Sequence, residues 1–319
     1  MREFPRPRLV VSKCLGFAPC RYDGSAIPDP VVEALKPHVD FLPVCPEVEI
    51  GLGVPRPPIR LVQVDPVRLV QPETGRDLTA QMEAFSLKFL EALPAVDGFI
   101  LKNRSPSCAL RDAKIHASAD GPAAGRGPGL FGAAVRALFP NLPAEDEGRL
   151  TNRALREHFF TAVFAFAALR EVEASEDMGE LVRFHTQNKF LLMAQGQAKL
   201  RELGRIVANP EKLPVREVLR QYGEKFREAF LRPPRRPSVI NVLEHAFGYV
   251  SDGLRPEERR YFLKLLREYR AGHIPASVPR EVLRSWVIRF DVQYLAEQTF
   301  FEPFPSELLL PLDSGKGEE

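Results

Sequence analysis

Three apolar runs in the first third of the chain each stop close to a cysteine. RLVVSKC ends at Cys14, VDFLPVC at Cys45, and VDGFILKNRSPSC at Cys108. Apolar runs of this length, bounded by Pro, Gly and polar residues, read as buried strands. Stretches with helical spacing lie between them: PDPVVEALKP, with Pro in its first turn, and DLTAQMEAFSLKFLEAL behind an Asp cap. This alternation predicts a layered, Rossmann-like α/β domain with a mostly parallel sheet. Ligands of such sheets bind beyond the carboxyl ends of the strands, so parallel pairing would bring all three thiols to one rim.

The neighbours of these cysteines carry chemistry. Cys45 is followed by Pro46 and Glu47, which puts a carboxylate one step beyond a thiol. Ser105 and Ser107 precede Cys108, with Pro106 stiffening the turn between them, and Lys102 and Arg104 add positive charge that is expected to lower nearby thiol pKa values. A fourth cysteine, Cys20, lies in CLGFAPCRYDG, where YDG alone reads as a turn. The spacing fits neither a zinc ribbon nor a ferredoxin run, and free cysteines also serve as small buried apolar residues. Together the neighbours describe a soft-metal site with three thiol ligands, a general base and hydroxyl donors.

IRLVQVD reads as a third strand or hairpin arm, and the Gly/Pro/Ala-rich ADGPAAGRGPGLFG interrupts the alternation. LTNRALREHFFTAVFAFAALREV then gives a long helix, and EASED a polar hinge, so the expected domains are 1–175 and 176–319. The second is all-α, with breaks at NPEKLP, RPPRRPS, SDGLRPEE and GHIPASVP and a short polar tail, DSGKGEE. The longest apolar run, FFTAVFAFAAL, is too short to span a bilayer, and the N-terminus has no secretory apolar segment. A cytoplasmic protein without membrane partners is expected, where disulfides are disfavoured.

The formal net charge of +2 hides an asymmetry. Between Arg183 and Arg289 there are 22 Lys and Arg against 11 Asp and Glu. A basic helical half suits contact with a phosphate backbone, although Arg-rich helix faces are also commonly solvated and paired at i,i+4. His185, Asn188 and Lys189, and likewise Asn241, His245 and Tyr249, lie on adjacent helical turns. They read as buried hydrogen-bonding groups or RNA contacts rather than a metal site, because no carboxylate completes a ligand set. Leu191, Leu192 and Met193 read as core.

The blocks VSKCLGFAPCRYDG, CPEVEIGLGVPRPP and LKNRSPSC resemble, in order, the signature segments of the thiouracil desulfurase family, and EDEGRLTNRALREHFF resembles its closing segment. The second half, in LVRFHTQNKFLLMAQGQAKLRELGR, NVLEHAFGYV, YRAGHIPASVP and YLAEQTFFEPFPSELLL, resembles a helical domain of unknown function often fused to it. Such fusions are similar to bacterial desulfidases that convert 4-thiouridine in tRNA to uridine. The resemblance implies a [4Fe-4S] cluster held by Cys14, Cys45 and Cys108, with one iron not ligated by protein and Cys20 accessory. It implies Glu47 as the catalytic carboxylate and Ser105, or else Ser107, as the catalytic hydroxyl. The implied activity is non-redox hydrolytic desulfuration of a thiolated pyrimidine in tRNA. Free 2-thiouracil-type bases, or a cluster-binding regulatory role without turnover, are the alternatives, and the oligomeric state is left open. KCLGF lacks the second leucine common in the family, and PRPP lacks an acidic residue common nearby.

Overall fold

The computed structural model describes residues 3–312; the polar tail 313–319 lies outside them. The chain divides into two compact units. One holds the chain up to Ala167 and the segment that returns from Glu307, and the other runs Ala168–Ser306.

The first unit contains β1 (Arg8–Ser12), β2 (Asp40–Val44), β3 (Arg60–Val62), β4 (Arg68–Gln71), β5 (Arg76–Asp77), β6 (Gly98–Leu101), β7 (Ala113–His116), β8 (Ala123–Gly127) and β9 (Ala144–Asp146). Four of these form a parallel sheet in the order β2-β1-β6-β9. Strand β1 is central, and its Val11 faces Pro43 on one side and Ile100 on the other. A strand covered on both faces needs a continuous apolar run, which RLVVS and GFIL supply; both are almost wholly buried. Strand β2 takes the edge, where Pro43 costs no ladder bond that the sheet requires. Helix α1 (Pro30–Leu35) follows β1 and starts at Asp29, whose carboxylate accepts from the Val31 and Val32 amides at 3.0 Å each.

The remaining strands form a second sheet, β5-β4-β3-β7-β8, in which only β3 and β7 run parallel. IRLVQVD is therefore a hairpin arm, with β4 as its partner. The Gly/Ala-rich passage holds β8, an exposed edge strand ordered by backbone pairing with β7. After α2 (Pro46–Glu49), α3 (Thr79–Glu91) and α4 (Leu130–Leu138) pack with the sheets. Met82 and Phe131 meet Phe99, Leu101, Leu61 and Leu69 in one core. Each large side chain buried this way contributes about 1.5–3 kcal/mol. Helix α5 (Arg153–Ser175) carries the chain across the division. Its buried Arg156 donates to the carbonyls of Leu150 and Thr151 and to those of Leu310 and Leu312, which ties the returning segment to the first unit.

The second unit is helical: α6 (Met178–Gln187), α7 (Lys189–Gln195), α8 (Gln197–Ala208), α9 (Val215–Ala229), α10 (Arg236–Gly248), α11 (Pro256–Ala271), α12 (Ser277–Arg289) and α13 (Gln293–Ala296). Helix α8 ends on Asn209 at φ 43°, a left-handed residue that turns the chain into NPEKLP. Phe184, Tyr222 and Phe226 meet ring to ring in the core. His185 is buried with Nδ1 3.2 Å from the Tyr222 hydroxyl, and Asn188 donates to the Phe184 carbonyl and accepts from Thr299. Both hold the interior together. Leu191 and Leu192 are core, while Met193 is half-buried. Among the described residues no helix is long and apolar enough to cross a membrane.

Candidate active site

Because β2, β1 and β6 are parallel neighbours, their carboxyl ends share one rim. A cavity of about 390 Å³ opens there, lined by Cys14, Cys20, Cys45 and Cys108 together with Glu47 and Ser105. The structure thus gathers every sequence-assigned site residue at one place. All four cysteines are free thiols. Cys14 is half-buried two residues past β1, and Cys45 is buried one residue past β2. Cys108 is buried at the end of the Ser-Pro-Ser turn that follows β6.

That turn is built by close backbone approach. Ser105 Oγ accepts from the amides of Ser107 at 3.2 Å and Cys108 at 3.0 Å, and so shapes the loop. The start of α4 lies directly against it: the Gly129 amide donates to Ala109 O at 2.8 Å and the Gly132 amide to Ser107 O at 3.0 Å. A Cβ at Gly129 would overlap the backbone of Ser107, and one at Gly132 that of Ala109. Only glycine allows this approach. Arg104 enters the turn at φ 57°, a left-handed conformation uncommon for a side-chain-bearing residue.

Glu47 leaves the first turn of α2 and is held on both oxygens. Ser107 Oγ donates to Oε1 at 2.8 Å, while Arg56 donates to Oε2 through Nε at 3.0 Å and Nη2 at 2.7 Å. Arg56 also donates to the carbonyls of Cys20 at 3.0 Å and Gly53 at 2.9 Å. The Arg56 side chain is 3 % exposed and that of Glu47 13 %, so this is a shielded ion pair rather than a surface one. The sequence reading did not single out Arg56. Its one signal was a lone cation in a proline-rich segment, and its partner Cys20 lies 36 residues earlier.

Cys20, Cys45 and Cys108 are raised rather than lowered, against what Lys102 and Arg104 suggest. Lys102 is engaged by Glu147 and Asn103. Burial pushes the Cys108 thiol up to about 12, against hydrogen bonds from the Ser12 and Ser105 hydroxyls that pull it down. Cys45 is raised by its contact with the Cys20 thiol and by burial. Cys20 is raised chiefly by its contact with Cys14, while Cys45 and Arg56 pull it down. The accessory cysteine therefore sits between two of the assigned ligands, and its carbonyl accepts from Cys45 Sγ at 3.7 Å. Arg21 and Tyr22 line the cavity, and Asp23 closes the turn through Ser25, as YDG suggested.

Among the described residues no three Cys, His, Asp or Glu side chains gather to hold a single metal ion. A four-iron cluster presents several irons to its ligands, so thiols set around a wider cavity are the donor set it takes. The soft sulfur donors and a cavity of about 390 Å³ fit such a group.

An open cavity ringed by thiols at the carboxyl ends of parallel strands, with a fixed carboxylate beside it, defines a cysteine-rich α/β cofactor-site protein. Comparison with known proteins narrows this class. Residues 9–147 match the 2-thiouracil desulfurase family model, and residues 189–305 match the model described as a protein of unknown function, DUF1722. The chain belongs to the 2-thiouracil desulfurase family through its first unit, joined to a DUF1722 region. The uncharacterized protein YbbK of Bacillus subtilis (strain 168) is 28 % identical over 108 residues, covering 31 % of this chain and 72 % of that protein. The solved [4Fe-4S]-dependent thiouracil desulfidase TudS is 31 % identical, covering 46 % of this chain and 93 % of that one, with a TM-score of 0.37.

Proposed function

We propose that the first unit catalyses iron–sulfur-dependent, non-redox hydrolytic desulfuration of a thiolated pyrimidine, with 4-thiouridine in tRNA as substrate and uridine as product. The observation that carries this reading is the convergence of Cys14, Cys45 and Cys108 on one cavity that also holds Glu47. Family membership supports a thiouracil-type substrate.

Cys14, Cys45 and Cys108 would hold a [4Fe-4S] cluster with one iron free of protein ligands. When bound, it would supply a thiophilic Lewis acid that polarises the thiocarbonyl. The chain's own groups do the rest. Glu47 takes a proton from the attacking water through the one carboxylate oxygen not paired with Arg56. Ser105, which lines the cavity, donates from its hydroxyl to the pyrimidine as charge develops on the ring. Ile27, Val44 and Ile59 supply apolar wall against which the pyrimidine ring would lie. The reaction balances without electrons: water and the thiocarbonyl give a carbonyl and hydrogen sulfide.

The case for tRNA rests on the basic second unit, where Arg232 and Arg235 in RPPRRP are exposed. Many other cations there are paired along their own helices, as Arg220 is with Glu217 and Glu224 and Arg260 with Glu257. The family name favours a second reading, turnover of a free 2-thiouracil-type base. Both are tested by incubating the anaerobically reconstituted protein with thiolated tRNA and, separately, with free thiouracil. Loss of 4-thiouridine from the digested tRNA supports the first reading. Turnover of the free base alone supports the second, and binding without turnover of either removes the enzymatic reading.

A further inference from the structure

We infer that Arg56 is a positioning residue for catalysis: it fixes the rotamer of Glu47 against the loop that carries Cys20, with Ser107 fixing the other carboxylate oxygen. The inference rests on the proposed role of Glu47 as general base. Nothing in the resemblance assigns a role to Arg56.

The geometry leaves the guanidinium little freedom. Its Nε and Nη2 meet one oxygen of Glu47, Nη1 and Nη2 meet the Cys20 carbonyl at 3.0 Å each, and Nη1 also meets the Gly53 carbonyl at 2.9 Å. A planar fork of fixed donors suits this task, and a lysine ammonium on a flexible stem cannot reproduce it. Gly53, at φ 73°, turns the backbone so that its carbonyl meets the guanidinium. Glu47 stands on α2, a four-residue helix, so the element that bears it has little rigidity of its own. Both oxygens are held from outside that helix, Oε2 by two donors of Arg56 and Oε1 by Ser107 alone, and Glu47 lines the cavity. A base held in this way presents its free lone pair at a constant place, which is what proton abstraction from a single water requires.

The test compares wild type, Arg56→Lys, Arg56→Ala and Glu47→Gln, each reconstituted with iron and sulfide and normalised to bound iron. Arg56→Lys is expected to lower kcat by about 10–100-fold with KM changed by less than about 3-fold. Methylguanidine should restore part of the lost rate in Arg56→Ala and none in Glu47→Gln. An independent measurement uses the cluster-free protein: carbodiimide-driven amidation of Glu47, mapped by mass spectrometry, should be faster in Arg56→Lys than in wild type. Unchanged kcat per cluster in Arg56→Lys, or equal labelling of Glu47, would overturn the inference, as would a loss explained wholly by lower iron content. Full activity per cluster in Glu47→Gln would instead remove the base on which the inference rests.

Discussion

Ser107 donates its hydroxyl to Glu47 Oε1 at 2.8 Å, although the two residues lie 60 apart in the chain. The bond joins the turn after β6 to the helix after β2 across the rim of the parallel sheet. Ser105, two residues earlier, faces the cavity and gives its oxygen to the amides of Ser107 and Cys108. The two hydroxyls of Ser-Pro-Ser thus have separate surroundings: one lines the cavity, and the other donates to the Glu47 carboxylate.

That division predicts unequal variants. Ser105→Ala should lower kcat by about 100-fold or more, the range for loss of a group that moves or shares a proton. It should also cost about 1–3 kcal/mol of stability, because two part-buried amides lose their acceptor. Ser107→Ala should lower kcat about tenfold, as expected for a residue acting through another. Single-turnover kinetics on cluster-normalised protein would measure this, and the reverse order would make Ser107 the catalytic hydroxyl.

The ligand assignment predicts which cysteines retain iron. Cys14→Ala, Cys45→Ala and Cys108→Ala should each fail to hold a full cluster after anaerobic reconstitution, and Cys20→Ala should hold one. Iron and sulfide content with visible absorbance measures this directly. Loss of the cluster in Cys20→Ala alone would replace one of the three ligands by Cys20, which contacts both Cys14 and Cys45.

Gly132→Ala places a methyl group against the Ala109 backbone beneath the Cys108 turn. Overpacking of this kind costs about 1–3 kcal/mol. The melting temperature and the iron retained per chain should fall together, because the displaced backbone adjoins Cys108, one of the three proposed ligands. An unchanged melting temperature would mean that the turn and α4 separate more easily than their hydrogen bonds imply.

In the second unit, burial lowers the His185 pKa to about 4, with the charge of Lys189 acting in the same direction. The unfolded chain binds this proton near pH 6.5 and the folded chain only near 4. Stability from the neutral imidazole is therefore complete above about pH 6.5 and is lost as pH falls toward 4, by up to about 3 kcal/mol. Urea melts at pH 7.5 and pH 5 should differ more for wild type than for His185→Gln. Equal pH dependence in both proteins would place the effect on other groups.

The parallel sheet and the gathering of thiols were legible because a strand buried on both faces must be continuously apolar, and RLVVS and GFIL are. The cysteines marked where such strands stop. The second sheet was less legible: β8 is Ala/Gly-rich and exposed, and its pairing lies in backbone bonds that leave no apolar alternation. Arg56 was hidden for a related reason, since a buried cation is recognisable only by partners distant in sequence. The expectation that Lys102 would activate the thiols failed because its ammonium is held by Glu147 and Asn103. The packing role of Gly129 and Gly132 depends on a backbone more than twenty residues earlier, which composition alone does not reveal.

The central claim is hydrolysis of a thiocarbonyl at the cavity shared by Cys14, Cys45, Cys108 and Glu47. It is tested most directly by incubating the reconstituted protein with thiolated tRNA in oxygen-18-labelled water, without added reductant, followed by digestion and mass analysis of nucleosides. The account predicts loss of 4-thiouridine, one labelled oxygen in each new uridine and one sulfide released per conversion. Persistence of 4-thiouridine with the cluster intact would contradict it.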